Sequence, residues 1–542
     1  IKTQDLAKQN NTFQYDGNDN LIKYTNPKGG TFEYQYDTTY KHRLTKAISS
    51  TEVNYNFTYN QYGQATTSKI TNNTNSKYIE TNAEYTENGN YLTKIKDETG
   101  KETTYEYNQT NGNLDKVTDA KGTETNYTYD ELGRISIVSK TVGNKTYQNR
   151  YTYENDRINT IAHNRFNYYF TYDEYGNRKQ VKIANQTLIT NNYDENYGNL
   201  NSVIYGNDDT ISYTYDRFNI MTTQTKEQGT YKYKYDAQSN LAYIETPEGI
   251  KEYYTYDLSG RITNVYNALY GFKRAYKYDK NNNLNYSEYV FNGNISRENY
   301  GYDNQNRITS VSTYSGDSNS GNSISMEFDY DNLSRLSRKF ISGANKSYII
   351  RYDYENVDSN RTTSRVSSIE GDSFFIGYNY DELGNIKNVR GRQSATYYYD
   401  SLNQLKRENN ETLSKTITYE YDLGGNITNK TEYPYTTGEL GTATKTINYT
   451  YGNTNWKDQL TSYNGQTITY DTIGNPLSYN GNTYTWQNGR ELKSITNENT
   501  GLNISYKYND EGIRTEKTVN GVTTKYYLNG SKVIYEKTGD NI

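Results

Sequence analysis

A chain of 542 residues with 32% hydrophobic content falls well below the roughly 45–50% of soluble globular domains, a composition that by itself points toward disorder. The formal charge of −5, with Lys and Arg scattered, excludes a basic surface for nucleic acid, and no apolar run is long enough for a transmembrane helix. The absence of cysteine removes disulfides and thiolate metal sites, and it fits an extracellular protein at least as well as a cytosolic one.

Tyrosine opposes the reading of disorder. The chain carries 67 Tyr against 12 Phe and 2 Trp, and each buried aromatic ring removes about 150–250 Å² from water. A sheet lined with tyrosine therefore holds together with few aliphatic residues. Along the chain a signature Tyr-x-Tyr-Asp-x-x-Gly-Asn/Arg-Leu/Ile returns roughly every 20–24 residues, a period that marks repeat architectures. At this length an ordinary chain would split into about three or four domains, but a repeating chain runs on as one body. The expectation is one array over 1–542 of about 22–23 units, degenerate near 50–90, 310–360 and 430–500, with no separate catalytic domain. Ile1 in place of methionine reads as a sign of processing or of a fragment.

From the N-terminus, Tyr15-Asp16 opens the array, and Tyr59-Asn60-Gln61-Tyr62-Gly63 is a degenerate unit. Asp97-Glu98-Thr99-Gly100 and Asp119-Ala120-Lys121-Gly122 are turns that link one unit to the next. Between them Tyr105-Glu106-Tyr107 places aromatics at every second position, the period of a strand with one aromatic face. Clean units follow at Tyr127, Tyr129, Asp130 and Gly133; at Tyr172, Asp173 and Gly176; and at Tyr254, Tyr256, Asp257 and Gly260. Two more lie at Tyr378, Tyr380, Asp381 and Gly384, and at Tyr470, Asp471 and Gly474. In each, Asp favours a type I turn, and Gly at the fourth position accepts the left-handed conformation of a glycine bulge. The chain then returns as a second strand, as in Ile135-Ser136-Ile137. Asn464-Gly465, Asn480-Gly481 and Asn520-Gly521 are two-residue hairpin signals. Insertions near 310–325 and 430–445 read as exposed loops. The fold class is all-β: tandem hairpins forming one continuous spiralling sheet, a solenoid-like shell or rod. The structural repeat residues just named are the candidate site. Gly133→Val is expected to destabilise its unit by about 1–3 kcal/mol, since a β-branched residue resists the left-handed position.

Candidates for chemistry are few. His42 and His163 are the only histidines and read as turn or surface residues. No cysteine or nucleophile-elbow serine supports nucleophilic catalysis, and the recurrent Asp is explained by its turn. The Asp-rich turns lack the ligand spacing of a calcium loop. No catalytic, metal or cofactor site and no enzyme activity are therefore expected. Most tyrosines read as packed inside the sheet stack, with carbohydrate stacking as the lesser alternative. Sequons such as Asn56-Phe57-Thr58 and Asn126-Tyr127-Thr128 arise readily in a chain this rich in Asn and Thr. Trp486 takes the place of the second Tyr of a unit and reads as core.

On these repeats the chain resembles the YD-repeat (Rhs-type) family, which includes bacterial Rhs and wall-associated polymorphic toxins, the cocoon components of insecticidal toxin complexes and the shells of teneurins. The resemblance runs from Tyr15-Asp16 to Tyr506-Lys507-Tyr508-Asn509, and Tyr508 to Thr518 is similar to the stretch preceding that family's core. No Asp-Pro dipeptide, the signature of the family's self-cleaving core, occurs. The resemblance implies a secreted or cell-surface scaffold whose sheet shell encapsulates or presents an associated, toxin-like domain not included in this chain. The alternative is a self-assembling extracellular filament or adhesin, in contact with glycans, whose repeats stack end to end. Expected partners are the protein's own C-terminal domain or cargo, or neighbouring subunits through exposed sheet edges, with no nucleic acid and no membrane span.

Overall fold

In a computed structural model the described residues are 1–4, 8–73, 75–316, 322–539 and 541, and they contain strands and turns and no helix. Each strand but one pairs antiparallel with the next in sequence, so local hairpin closure builds the ladder. The ladder is divided once, into sheets of 42 and 8 strands. At the division the strands shrink to two residues, Gln466–Thr467 and Thr469–Tyr470, and the Ile468 amide donates to the Thr461 carbonyl at 2.9 Å across the gap.

Most units carry a β-bulge at the second tyrosine. Thr128 faces Ile137 and Tyr129 faces Ile135, which leaves Ser136 as the extra residue. The same shift recurs at Tyr172, Tyr256, Tyr380 and Tyr470. A bulge increases local twist, and its recurrence gives the ribbon a regular curvature.

That curvature brings distant units together at a near-constant offset. The Asn26 amide donates to the Asn304 carbonyl, 278 residues on. Glu98 accepts from Ser364 across 266 residues, Lys226 donates to Glu491 across 265, and Arg274 donates to the Leu528 carbonyl across 254. The contacts advance in step along both segments, so the sheet is a spiral of two stacked wraps. Antiparallel pairing puts the corners that follow the second tyrosine of each unit on one rim of the ribbon and the linking turns on the other. The seam between wraps joins linking turns of the first wrap to corners of the second.

The degenerate segments near 50–90 and 310–360 keep the ladder, whereas its division falls in the third, 430–500. The stretch near 310–325, expected as a loop, forms the paired strands Ile308–Ser315 and Asn322–Tyr330, whose Ser/Thr-rich sequence alternates well enough to extend a hairpin; 317–321 lie outside the described residues. Of the stretch 430–445, also expected as an exposed loop, 435–444 are irregular and largely exposed, but 430–434 continue the strand Ile427–Pro434 and Lys445 opens the strand Lys445–Thr450. Few tyrosines are fully buried, Tyr231, Tyr233, Tyr289 and Tyr527 among them. Most lie half-buried against neighbours on one face, because the wall is a single layer rather than a stack of sheets. The main aromatic cluster, Phe272, Tyr289, Phe291 and Tyr527, sits at the seam, with the Phe291 and Tyr527 ring centroids 4.0 Å apart.

Candidate functional site: the repeated corner and the seam

All five clean units build the same corner. Gly133 has φ +77, Gly176 +88, Gly260 +75, Gly384 +84 and Gly474 +86, the left-handed position the sequence requires. The Asp130 Oδ1 accepts from the Leu132 amide at 3.0 Å and the Arg134 amide at 2.9 Å, and Oδ2 accepts from Arg134 Nε at 2.8 Å. Asp173 is bonded likewise by Tyr175 and Asn177, Asp257 by Ser259 and Arg261, Asp381 by Leu383 and Asn385, and Asp471 by Ile473 and Asn475. One carboxylate thus satisfies two backbone donors and orients the residue after the glycine.

That residue ties one unit to the next. Arg134 Nη1 reaches Asp156 at 2.9 Å, and its guanidinium lies 4.5 Å from the centroid of the Tyr153 ring. Arg261 sits likewise over Tyr278, Arg307 over Tyr330 and Arg335 over Tyr354, a geometry worth about 0.5–1 kcal/mol at exposed sites.

The second tyrosine is a latch. Tyr129 Oη donates to the Leu114 carbonyl at 2.7 Å, Tyr172 to Ile158 at 2.8 Å, Tyr256 to Leu241 at 2.9 Å, Tyr380 to Val366 at 2.6 Å and Tyr470 to Leu460 at 2.5 Å. Where a preceding bulge starts on such a residue, as at Leu114 and Leu241, the phenol supplies a donor where the ladder skips a residue. Trp486 does the same work, its indole N–H donating to the Pro476 carbonyl at 2.8 Å, and it is half-buried rather than core. Of the first tyrosines, Tyr254 bonds the Glu252 carboxylate at 2.7 Å, and Tyr127 and Tyr378 are half-buried on the latch face. Tyr129→Phe should cost about 1 kcal/mol and speed amide exchange in its own and the preceding unit; exchange unchanged there would remove the latch.

At several corners the sequence search missed the left-handed residue, because it is Asn or Ser: Asn219, Ser239, Asn282, Asn306, Ser334 and Asn403 all have φ between 62 and 68. The signal was the Asp three residues earlier.

Hydrogen bonding holds the exposed corner carboxylates ionised. Arg134 keeps Asp130 below its ordinary value, and backbone amides do so for Asp37 (chiefly Tyr40) and Asp236 (chiefly Asn240). With the folded-state value lowered, the stabilisation is complete above the ordinary 3.8 and is lost as pH falls below it. Corner amides should therefore stay protected from pH 8 to 5 and lose protection below about pH 4; loosening already between pH 8 and 5 would point to another group.

The seam is polar and ordered. Lys28 Nζ lies 3.3 Å from Asp279 and Lys121 Nζ 2.5 Å from Asp381. Asn164 Nδ2 donates to Asp422 at 3.1 Å and to Asp458 at 2.9 Å. Gly30 packs so closely that a Cβ would collide with the Asn304 carbonyl. Tyr231 donates to the Tyr508 carbonyl at 3.2 Å and Tyr233 to Asp510 at 2.9 Å; burial pushes the Tyr231 phenol up to about 12 and raises that of Tyr233 too. The two histidines part company. His42 lies in an exposed turn against Asn20 at 2.7 Å, whereas His163 is half-buried at a strand end, 3.5 Å from Asp458 of the second wrap. Among the described residues no group of three His, Cys, Asp or Glu side chains could hold a metal ion.

The RHS Repeat model matches residues 15–52 and 110–146, and the Teneurin YD-shell model matches 139–319. The matches bear out the resemblance to the YD-repeat (Rhs-type) proteins over those segments. It is 38% identical over 146 residues to the tRNA nuclease WapA of Bacillus subtilis, a match covering 26% of this chain and 6% of that protein. A tRNA(Glu)-specific nuclease WapA of Bacillus subtilis subsp. natto is 38% identical over 100 residues, 18% of this chain and 4% of the relative. A crystal structure titled TcdB2-TccC3-TEV superposes with a TM-score of 0.70 at 15% identity, covering 96% of this chain and 31% of that one. The chain thus spans a small part of the relatives it matches, and the structural likeness concerns the fold.

Proposed function

We propose that this chain is a wall segment of a secreted or cell-surface shell that encloses or presents an associated toxin-like domain, without itself catalysing a reaction. The observation that carries this reading is the accessible surface. It amounts to 30315 Å², against about 20,000 Å² for a compact protein of this mass. A single-layer wall open to solvent on both faces accounts for the excess, and the seam between wraps supports a wall that surrounds a space. At about 24 strands per wrap and ~4.8 Å per strand the contour is ~115 Å, which leaves a lumen ~25 Å wide once inward side chains are allowed for. The named activity of the WapA relatives supports a nuclease-like cargo, carried by a part of the protein other than this wall.

The test is protection. A small reporter domain appended after Ile542 should become resistant to protease and hidden from antibody, while the same domain alone is digested. Equal digestion of the two would reject enclosure by this segment.

A further inference from the structure

The sheet face opposite the tyrosine latches carries a cluster that neither the corners nor the seam uses. It spans the strands from Gly229–Tyr235 to Asn294–Tyr302. In the cross-strand register Tyr243 pairs with Tyr253 and Tyr253 with Tyr266, and Lys234 and Lys273 close this row at its two ends. The Tyr243 and Tyr253 ring centroids stand 5.6 Å apart, and Tyr253 and Tyr266 are each 42% exposed. Next to the row in the chain, the side chains of the other face are packed away: Tyr233 is 6% exposed, Val265 3% and Phe272 5%. Side chains crowd on the inside of a curved sheet and spread on its outside, so the row faces outward. It lies on the sheet face rather than on a rim, and a further wrap stacked on either rim would leave it open.

The charges around the row point to its ligand. The cations of this face are Lys232, Lys234, Lys251, Lys273, Lys277 and Arg297, against the carboxylates of Glu245 and Glu288, in a chain whose formal charge is −5. Glu245 is shared by Lys232 at 2.8 Å and Lys251 at 3.5 Å, and Glu288 holds Arg297. Lys234, Lys273 and Lys277 are exposed and, among the described residues, form no ion pair. Exposed rings flanked by unpaired cations suit a polymer that offers flat rings together with negative charge, as single-stranded nucleic acid and acidic polysaccharides both do. Three features favour the polysaccharide. The free cations are all lysines, not the arginines suited to bidentate phosphate contacts. Successive rings step by one strand, ~4.8 Å, close to the length of one pyranose unit. Beside the rings, Thr255 and Thr263 hydroxyls 3.0 Å apart and the Asn264 amide, 3.1 Å from Thr255, offer partners to sugar hydroxyls.

We propose that this face binds an acidic polysaccharide, with pyranose rings stacked on Tyr253 and Tyr266 and carboxylates paired with Lys234, Lys273 and Lys277. The contact is independent of what the wall encloses, so it stands or falls separately from the enclosure of a cargo.

Affinity electrophoresis and titration calorimetry of the full chain against polygalacturonate test the proposal. The chain should bind this polymer and release it as salt is raised. Poly-L-glutamate, which has the charge without the rings, and pullulan, which has the rings without the charge, should bind about tenfold more weakly or less. Tyr253→Ala combined with Tyr266→Ala should weaken polygalacturonate binding about tenfold or more, with the wild-type circular dichroism spectrum. Lys234→Gln combined with Lys273→Gln should weaken it too and flatten its salt dependence, an independent measure should the tyrosine pair fail to fold. Tyr348→Ala, which removes an exposed ring on the latch face, should bind as the wild type does. No binding of polygalacturonate, equal binding of poly-L-glutamate, pullulan or single-stranded poly(U), undiminished binding by the double variants, or equal loss with Tyr348→Ala would each overturn it.

Discussion

Gly474→Val should unfold the corner at 471–475, costing about 2–6 kcal/mol, whereas Gly133→Val costs about 1–3 kcal/mol. Both glycines are left-handed, with φ +86 and +77, so the backbone strain imposed by a β-branched residue is the same. The surroundings differ. A Cβ at Gly133 meets nothing within 4 Å, but one at Gly474 would stand 2.6 Å from the Trp456 ring. That ring closes the irregular segment preceding the division of the sheet, so its displacement spreads beyond one corner. Stability in a repeat array is local, a sum of unit and neighbour terms. The readout is therefore amide exchange by segment: lost protection over about 450–480 for Gly474→Val, and over the unit around 125–140 alone for Gly133→Val. Gly133→Asn should be nearly silent, because Asn219, Asn282, Asn306 and Asn403 hold the same conformation in other corners. Equal effects of the two valine variants would contradict the packing of Trp456 on Gly474.

The second large effect is expected at the buried ion pair of the seam. Lys226 and Glu491 lie 3.0 Å apart with side chains 3% and 13% exposed. Lys226 Nζ also donates to the Asn509 carbonyl at 3.3 Å, and Asn488 Nδ2 donates to the second Glu491 oxygen at 2.8 Å. Lys226→Met leaves a buried carboxylate without its cation and should cost about 3–5 kcal/mol. Adding Glu491→Gln removes the stranded charge while keeping an acceptor for Asn488, so the double variant should recover most of that loss. Denaturation followed by exchange over 488–510 measures both; a double variant as unstable as the single one would show that the charge pairing is not what holds this point of the seam.

Much of the wall is written in short-range pattern. Period-two aromatics specify strands, Asp-x-x-Gly specifies corners, and Asn464-Gly465, Asn480-Gly481 and Asn520-Gly521 adopt the left-handed pairs their sequences call for. The two-residue turns at Asn164-Arg165 and Ala344-Asn345 were not legible, since nothing in an alanine or arginine announces positive φ. The tyrosine latch was hidden for a different reason: its acceptor is a backbone carbonyl, which any residue supplies. The cross-unit reach of Arg134 to Asp156 depends on the twist that the bulge imposes. The seam was least legible of all. No local pattern links Lys226 to Glu491, because their meeting is fixed by curvature summed over a whole wrap.

The central claim is that the chain coils into two wraps stacked along a seam. Zero-length carbodiimide cross-linking of dilute monomer, which joins lysines to carboxylates already in contact, tests it most directly. Links should form between Lys28 and Asp279, Lys121 and Asp381, Lys226 and Glu491, and Lys493 and Glu227, all of them ion pairs across the seam. Cross-links confined to neighbouring strands, with none between residues a full wrap apart, would mean an open ribbon and would contradict the account.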